Sequence, residues 1–189
     1  MEVIVPENIS DITLQQFQQY NKLIKNEGLE ANELNKRLLS IFTNLKHKQI
    51  DKIKVTDYDS LLSDINTALN KDAEFKSTFT LDGIEFGFIT NFDDITSKEW
   101  FDLNLYKADD ISNYHKLMAI IFRPIISKDN FGNYKLETYN GTAKYSDKMK
   151  YTPMNIVNGA LVFFSSLANE LSNHIQKSIT VQQKKETAH

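Results

Sequence analysis

The sequence predicts a mainly helical α+β domain, and three observations carry that prediction. Amphipathic runs with capping residues fill the first 70 residues, apolar–polar alternation brackets Asp82-Gly83, and a long apolar stripe at helical spacing covers 157–175. The expected architecture is a helical domain with one aromatic-faced β-hairpin over 75–89 and a long C-terminal helix. Its parts are an N-terminal helical segment 1–70, a hairpin region 71–92, a mainly helical part 93–180 and a polar tail 181–189. No Pro/Gly/Ser-rich linker separates them, so one compact unit is expected.

Thr13 with Gln16 forms a capping box, and Leu14, Phe17, Leu23 and Ile24 follow as a helical stripe that Gly28 is expected to stop in the left-handed conformation. A second helix starts near Ala31, with Leu34, Leu38, Ile41, Phe42 and Leu45 on one face. Ile50 and Ile53 mark a short turn, and Thr56 or Asp57 is placed to cap a third helix that buries Leu61, Leu62, Ile65 and Leu69. In the hairpin, Asp82-Gly83 supplies the two positive-φ residues of a tight turn, pairing Leu81 with Ile84, Phe79 with Phe86 and Ser77 with Phe88. All the large apolar groups then share one face, which covers the helical core.

Thr96 and Glu99 form a second capping box, opening a helix with Trp100, Phe101 and Leu103. Ile111, Tyr114, Leu117, Met118 and Ile121 space as a buried helix face that must end at Phe122-Arg123-Pro124, because the residue before proline is pushed out of the helical region. Asn130 to Leu136 reads as a turn and a short strand, and Thr142 opens a small helix through Lys150. Thr152-Pro153 then starts the last helix, with Val157, Leu161, Phe164, Ala168, Leu171 and Ile175 at offsets 0, 4, 7, 11, 14 and 18.

The 189 residues carry 22 basic and 25 acidic side chains, a net charge of −3, which argues against a protein that coats nucleic acid. Lys76 is the one basic residue of the hairpin, so its aromatic face lacks the flanking charge of a base-stacking sheet. The absence of cysteine removes disulfides, thiolate metal sites and thiol catalysis. The most apolar stretch, 156–164, is nine residues against the roughly 20 of a membrane span. Residues 1–6 show no secretory pattern, which places the chain in a cytoplasm or in a particle packaged from one.

Chemistry-bearing motifs are sparse. His47, His115, His174 and His189 have no ligand-like spacing, and His115 reads as a structural histidine of its helix. The acid pairs Asp93-Asp94 and Asp109-Asp110 sit near helix starts, where they favour the helix dipole, and neither has calcium-loop spacing. No nucleophile elbow or glycine-rich phosphate loop occurs. A carboxylate dyad assembled only in three dimensions stays open, and clustering of Asp93, Asp94, His115 and Asp129 would be its sign. The expectation is therefore not an enzyme, with no catalytic, cofactor-binding or metal residue and no cofactor.

The order Ile12-Thr13-Leu14-Gln15-Gln16-Phe17, Phe79 to Ile89, Asn91 to Thr96, His115 to Ala119, Phe122-Arg123-Pro124-Ile125, Tyr151-Thr152-Pro153 and Gly159 to Phe164 resembles a family of small proteins encoded in the structural-gene regions of tailed bacteriophages of Bacteroidetes, crAss-like phages included. The resemblance spans about residues 6–178 and rests on packing and turn motifs, with no catalytic residues to carry over. It implies a non-enzymatic virion or morphogenesis protein at the tail or head–tail connector, as a ring subunit or tail-carried cargo. The alternatives are a tail assembly chaperone absent from the mature virion, and, from another class, a small hydrolase or host-directed regulator.

The implied location is the tail region of the virion, or the host cytoplasm during assembly. The implied partners are other phage structural proteins, or further copies of itself in a ring, without sequence-specific nucleic acid or a membrane span. For the contact surface the candidates are Trp100, Phe122 and Arg123. Trp and Arg are enriched at interface centres, and a helix end before proline is where side chains project. Burial in the core is the plain alternative for Trp100 and for Phe122. The long C-terminal helix is open to two uses, pairing with a partner or serving as the post of the fold.

Overall fold

The computed structural model describes residues 3–89, 91, 95–106 and 110–165. Helices α1 (Leu14–Ile24), α2 (Ala31–Thr43), α3 (His47–Ile50) and α4 (Val55–Leu69) lead into strands β1 (Thr78–Leu81) and β2 (Ile84–Phe88). Then come α5 (Ser97–Leu105), α6 (Tyr114–Ile121), β3 (Phe122–Lys128), β4 (Tyr134–Leu136), α7 (Ser146–Met149) and a helix, α8, over 154–165. The four strands form one antiparallel sheet in the order β1-β2-β3-β4. The molecule is thus a mixed helix-and-sheet fold, and the hairpin is half of a larger sheet.

The expected caps form. Thr13 Oγ1 accepts the Gln16 N–H at 3.3 Å while Gln16 Oε1 accepts the Thr13 N–H at 3.0 Å. The stop at Gly28 does not: α1 ends at Ile24, and Gly28 N–H bonds the Asn26 side chain at 3.3 Å in a local turn, which relieves the glycine of any left-handed role. It is Asn44, at φ 57°, that ends α2 in the left-handed conformation. Leu39, absent from the predicted α2 stripe, is its most buried leucine. The expected cap at Thr56 or Asp57 is displaced too, since α4 begins at Val55 with Lys54 as N-cap and no side-chain cap bond.

Asp82 (φ 48°) and Gly83 (φ 73°) make the tight turn, and the register pairs Leu81 with Ile84 and Phe79 with Phe86 as the alternation requires. Phe88 N–H donates to Ser77 O at 2.8 Å, extending the ladder by one step. The strand itself begins at Thr78, three residues later than expected from the alternation.

The strand β3 is a correction to the sequence expectation, which places a short strand within 130–136, seen as β4, but none directly after α6. The chain passes from α6 into β3 without a turn, because Pro124 denies Arg123 the helical region while Phe122 and Pro124 bury on the face shared with Phe86 and Phe88. Proline is tolerated there through register. Ile89 N–H donates to Ile121 O at 2.9 Å, so by alternation Pro124 stands opposite Phe86 in a non-hydrogen-bonded pair and costs β2 no donor.

Phe79 stacks on Phe86, and Phe122 packs edge-on against both Phe79 and Phe88. This aromatic layer joins a single core with Ile12, Leu14, Leu39, Ile65, Leu117, Ile121, Met149, Met154 and Val157. The two helical parts therefore share one interior. Their termini are also stitched together: Met154 N–H donates to Ile12 O at 2.8 Å and Leu14 N–H to Thr152 O at 2.9 Å. Of the long C-terminal helix, 154–165 is helical, and the remainder of that expectation lies outside the described residues.

Candidate functional site

Helix α5 is short, and its two faces differ in chemistry. The capping box at its start forms as the sequence dictates, with Glu99 N–H donating to Thr96 Oγ1 at 3.2 Å and Glu99 Oε2 accepting Thr96 N–H at 2.7 Å. Glu99 is buried, and its other oxygen faces the Arg123 guanidinium at 2.9 Å, which ties the first turn of α5 to the start of β3. One turn later Tyr139 O–H donates to Asp102 Oδ2 at 2.6 Å, and Leu103 is buried between. Burial, and then the Asp102 carboxylate, push the Tyr139 phenol far above its ordinary range, so it stays a hydrogen-bond donor.

The opposite side of α5 is open, with three apolar side chains exposed among Ser97, Lys98 and Asn104. Trp100 is 50% exposed, Phe101 70% and Leu105 66%. Phe101 and Leu105 are one turn apart and form one ridge, while Trp100 projects about 100° round the helix from Phe101, with exposed Asn104 between them. With Trp100 they expose on the order of 300 Å² of side-chain surface, divided between two sides of the helix.

Between the start of β3 and the 137–145 segment lies a small cavity of about 60 Å³ lined by Arg123, Pro124, Tyr139, Gly141, Lys144 and Tyr145, among others. Glu137 at its wall accepts Lys144 Nζ at 2.5 Å and Tyr145 O–H at 2.6 Å, and these two donors hold its carboxyl below the usual range. The Nε of Arg123 is buried without a hydrogen-bond partner. Each carboxylate here is committed to a cation or a phenol, and the Glu99–Arg123 and Asp102–Tyr139 pairs are the two that tie α5 to the rest of the fold.

Trp100, Phe122 and Arg123, the three contact candidates from sequence, separate in space and in role. Trp100 is exposed on α5, to one side of the Phe101–Leu105 ridge. Phe122 is fully buried, because strand alternation turns it into the aromatic layer instead of letting it project from a helix end. Arg123 is largely covered and paired with Glu99. Phe101, Leu105 and the Asp102–Tyr139 bond are the parts of the site that the sequence reading did not single out. The Phe101/Leu105 spacing opposite Glu99 and Leu103 is the signal that would have found them.

His115 Nδ1 lies 3.2 Å from Gln18 Nε2, whose amide also donates to Ile111 O at 2.8 Å, and burial lowers the imidazole pKa. Asp129 is tied within the β3–β4 turn, accepting the Phe131 and Asn133 N–H groups at 2.9 Å. Asp93, Asp94, Asp109, His174 and His189 lie outside the described residues. Among the described residues, no group of three or more His, Cys, Asp or Glu is placed to hold a metal, and no helix is long and apolar enough to cross a membrane.

No family model, curated protein or solved structure matches the chain.

Proposed function

We propose that this chain is a non-enzymatic assembly protein of a tailed phage, acting at the tail or head–tail connector as a ring subunit or as tail-carried cargo, and that it docks through the outer face of α5. The observation that carries the docking role is an apolar ridge on a helix held by buried polar ties to β3 and Tyr139. A surface fixed in advance loses little conformational entropy on binding, which favours a contact role. The phage setting rests on the sequence resemblance alone.

Quantitative mass spectrometry of density-purified virions from the encoding phage tests the setting. The expected result is the chain at a fixed copy number per particle. Detection only in infected-cell lysate would overturn the virion role and leave the tail assembly chaperone, which meets the same apolar ridge with an unassembled tail component. Absence from both the particle and every assembly intermediate would overturn the assembly reading itself.

A further inference from the structure

The side chain of Gln18, in the middle of α1, reaches a segment 93 to 97 residues further along the chain. Its Nε2 donates to Ile111 O at 2.8 Å and to Ser112 O at 3.2 Å, and stands 3.2 Å from Nδ1 of His115. Ile111 and Ser112 belong to a 3₁₀ turn, Ile111–Asn113, that feeds directly into α6. One amide group thus ties α1 to the entry of α6.

These partners fix which way the amide points and which ring nitrogen carries the proton. A carbonyl oxygen only accepts, so Ile111 O and Ser112 O demand the NH₂ end of Gln18 and exclude its oxygen. Nδ1 of His115 then faces a donor, and an N–H at that nitrogen would set hydrogen against hydrogen. The neutral ring therefore carries its proton on Nε2 and accepts at Nδ1.

We infer that Gln18 and His115 form a proton-operated latch, closed while the ring is neutral and released when Nδ1 is protonated. The charged ring presents an N–H at both nitrogens, which turns Nδ1 from the acceptor of Gln18 into its competitor for Ser112 O. Rotating the Gln18 amide gives no escape, because its oxygen would then face the carbonyls of Ile111 and Ser112. The two protonation states favour different hydrogen bonds among the same few groups, which is the physical content of a switch. The latch needs neither the phage setting nor docking through α5.

The surroundings bias the ring toward its neutral form. Burial, then Lys150 and Lys116, lower the His115 pKa, against Asp147 and the Ser112 backbone, which raise it. The charged groups have partners of their own: Lys150 pairs with Asp147 at 2.7 Å, and Lys116 lies over the Tyr106 ring at 4.7 Å. Asp110, which opens the turn, accepts the Ser112 N–H and the Asn113 amide at 3.0 Å, and α1 faces the ring with the neutral Gln18. A latched pKa under the free value of about 6.5 keeps the latch closed at neutral pH and opens it as pH falls through that lower value.

Histidine side-chain ¹⁵N–¹H NMR of the full chain, followed from about pH 8 to about pH 4.5, tests this, with His115→Gln assigning the resonance among the four histidines. At neutral pH the ring is expected in the Nε2–H form. Gln18→Met removes the donor at Nδ1 and should raise the His115 pKa. In the wild type, acidification should also lower the hydrogen-exchange protection of Asn113 and Tyr114, whose N–H groups donate to Asp110 O and Ile111 O. The fall is up to about tenfold for each unit between the latched and released pKa values, while Phe88 in the sheet keeps its protection.

A neutral ring with its proton on Nδ1 would overturn the inference, as would a His115 pKa that Gln18→Met leaves unchanged. Protection at Asn113 and Tyr114 that ignores protonation of the ring would overturn it too. The tautomer and the exchange rates are read on the wild type, so they decide the matter even where Gln18→Met fails to fold.

Discussion

Arg37 and Arg123 are the only arginines in the chain, and their surroundings set very different consequences for losing them. Arg37 pairs with Glu33 one turn away at 2.6 Å on an open helix face, where water screens the pair and Arg37→Met should leave stability nearly unchanged. Arg123→Met strips the partner from buried Glu99 and should cost about 2–3 kcal/mol, read by urea denaturation. Equal effects of the two substitutions would contradict the role given to the Arg123–Glu99 pair. Gly159 is a second residue whose environment decides its identity. A Cβ there would stand 2.6 Å from Glu74 O and 2.8 Å from Phe75 Cα, both backbone atoms, so Gly159→Ala must push α8 off the 74–75 segment. Overpacking of this kind costs about 1–3 kcal/mol. A melting temperature equal to wild type would show that the two segments separate freely.

At the level of elements, α6 carries the clearest pH dependence. Burial, with Lys150 and Lys116 nearby, lowers the His115 pKa, while Asp147 and a backbone bond at Ser112 oppose the shift less strongly. The folded state therefore favours neutral imidazole. Its contribution is present above the unfolded value of about 6.5 and is lost as pH falls through the lower folded value. Glu137, Asp110 and Asp129 are also lowered, so their losses come at more acid pH, below the usual carboxylate range of about 4. Stability measured from pH 7 down to about 5 should fall in the wild type and fall less in His115→Gln. Identical slopes would remove His115 as the source.

The same scale shows what the sequence could and could not reveal. The two capping boxes, the Asp82-Gly83 register and the end of α6 were legible because each depends on residues within a few positions of one another. β3 was not, since its Arg123 and Pro124 oppose strand formation locally and only the distant β2 and β4 supply the pairing that overrides them. Phe122 was misplaced as a contact candidate for the same reason. Trp100 was legible as a contact candidate through its residue type, but the fixing of its helix through Glu99 and Asp102 depends on Arg123 and Tyr139, 24 and 37 residues onward.

For the whole molecule, one continuous core from Ile9 to Ala160 leaves the Phe101–Leu105 ridge of α5 on the surface. Another exposed aromatic, Phe131 at the β3–β4 turn, is 92% exposed at a tip that Asp129 holds in place. It serves as the control for the central claim that the chain docks through α5. The decisive measurement is the amount of each variant carried in purified phage particles when the wild-type gene is replaced by Phe101→Glu or by Phe131→Glu. Docking through α5 predicts that Phe101→Glu is lost from particles while remaining folded and soluble in the lysate, and that Phe131→Glu is packaged at the wild-type level. Equal packaging of Phe101→Glu and wild type would contradict the claim.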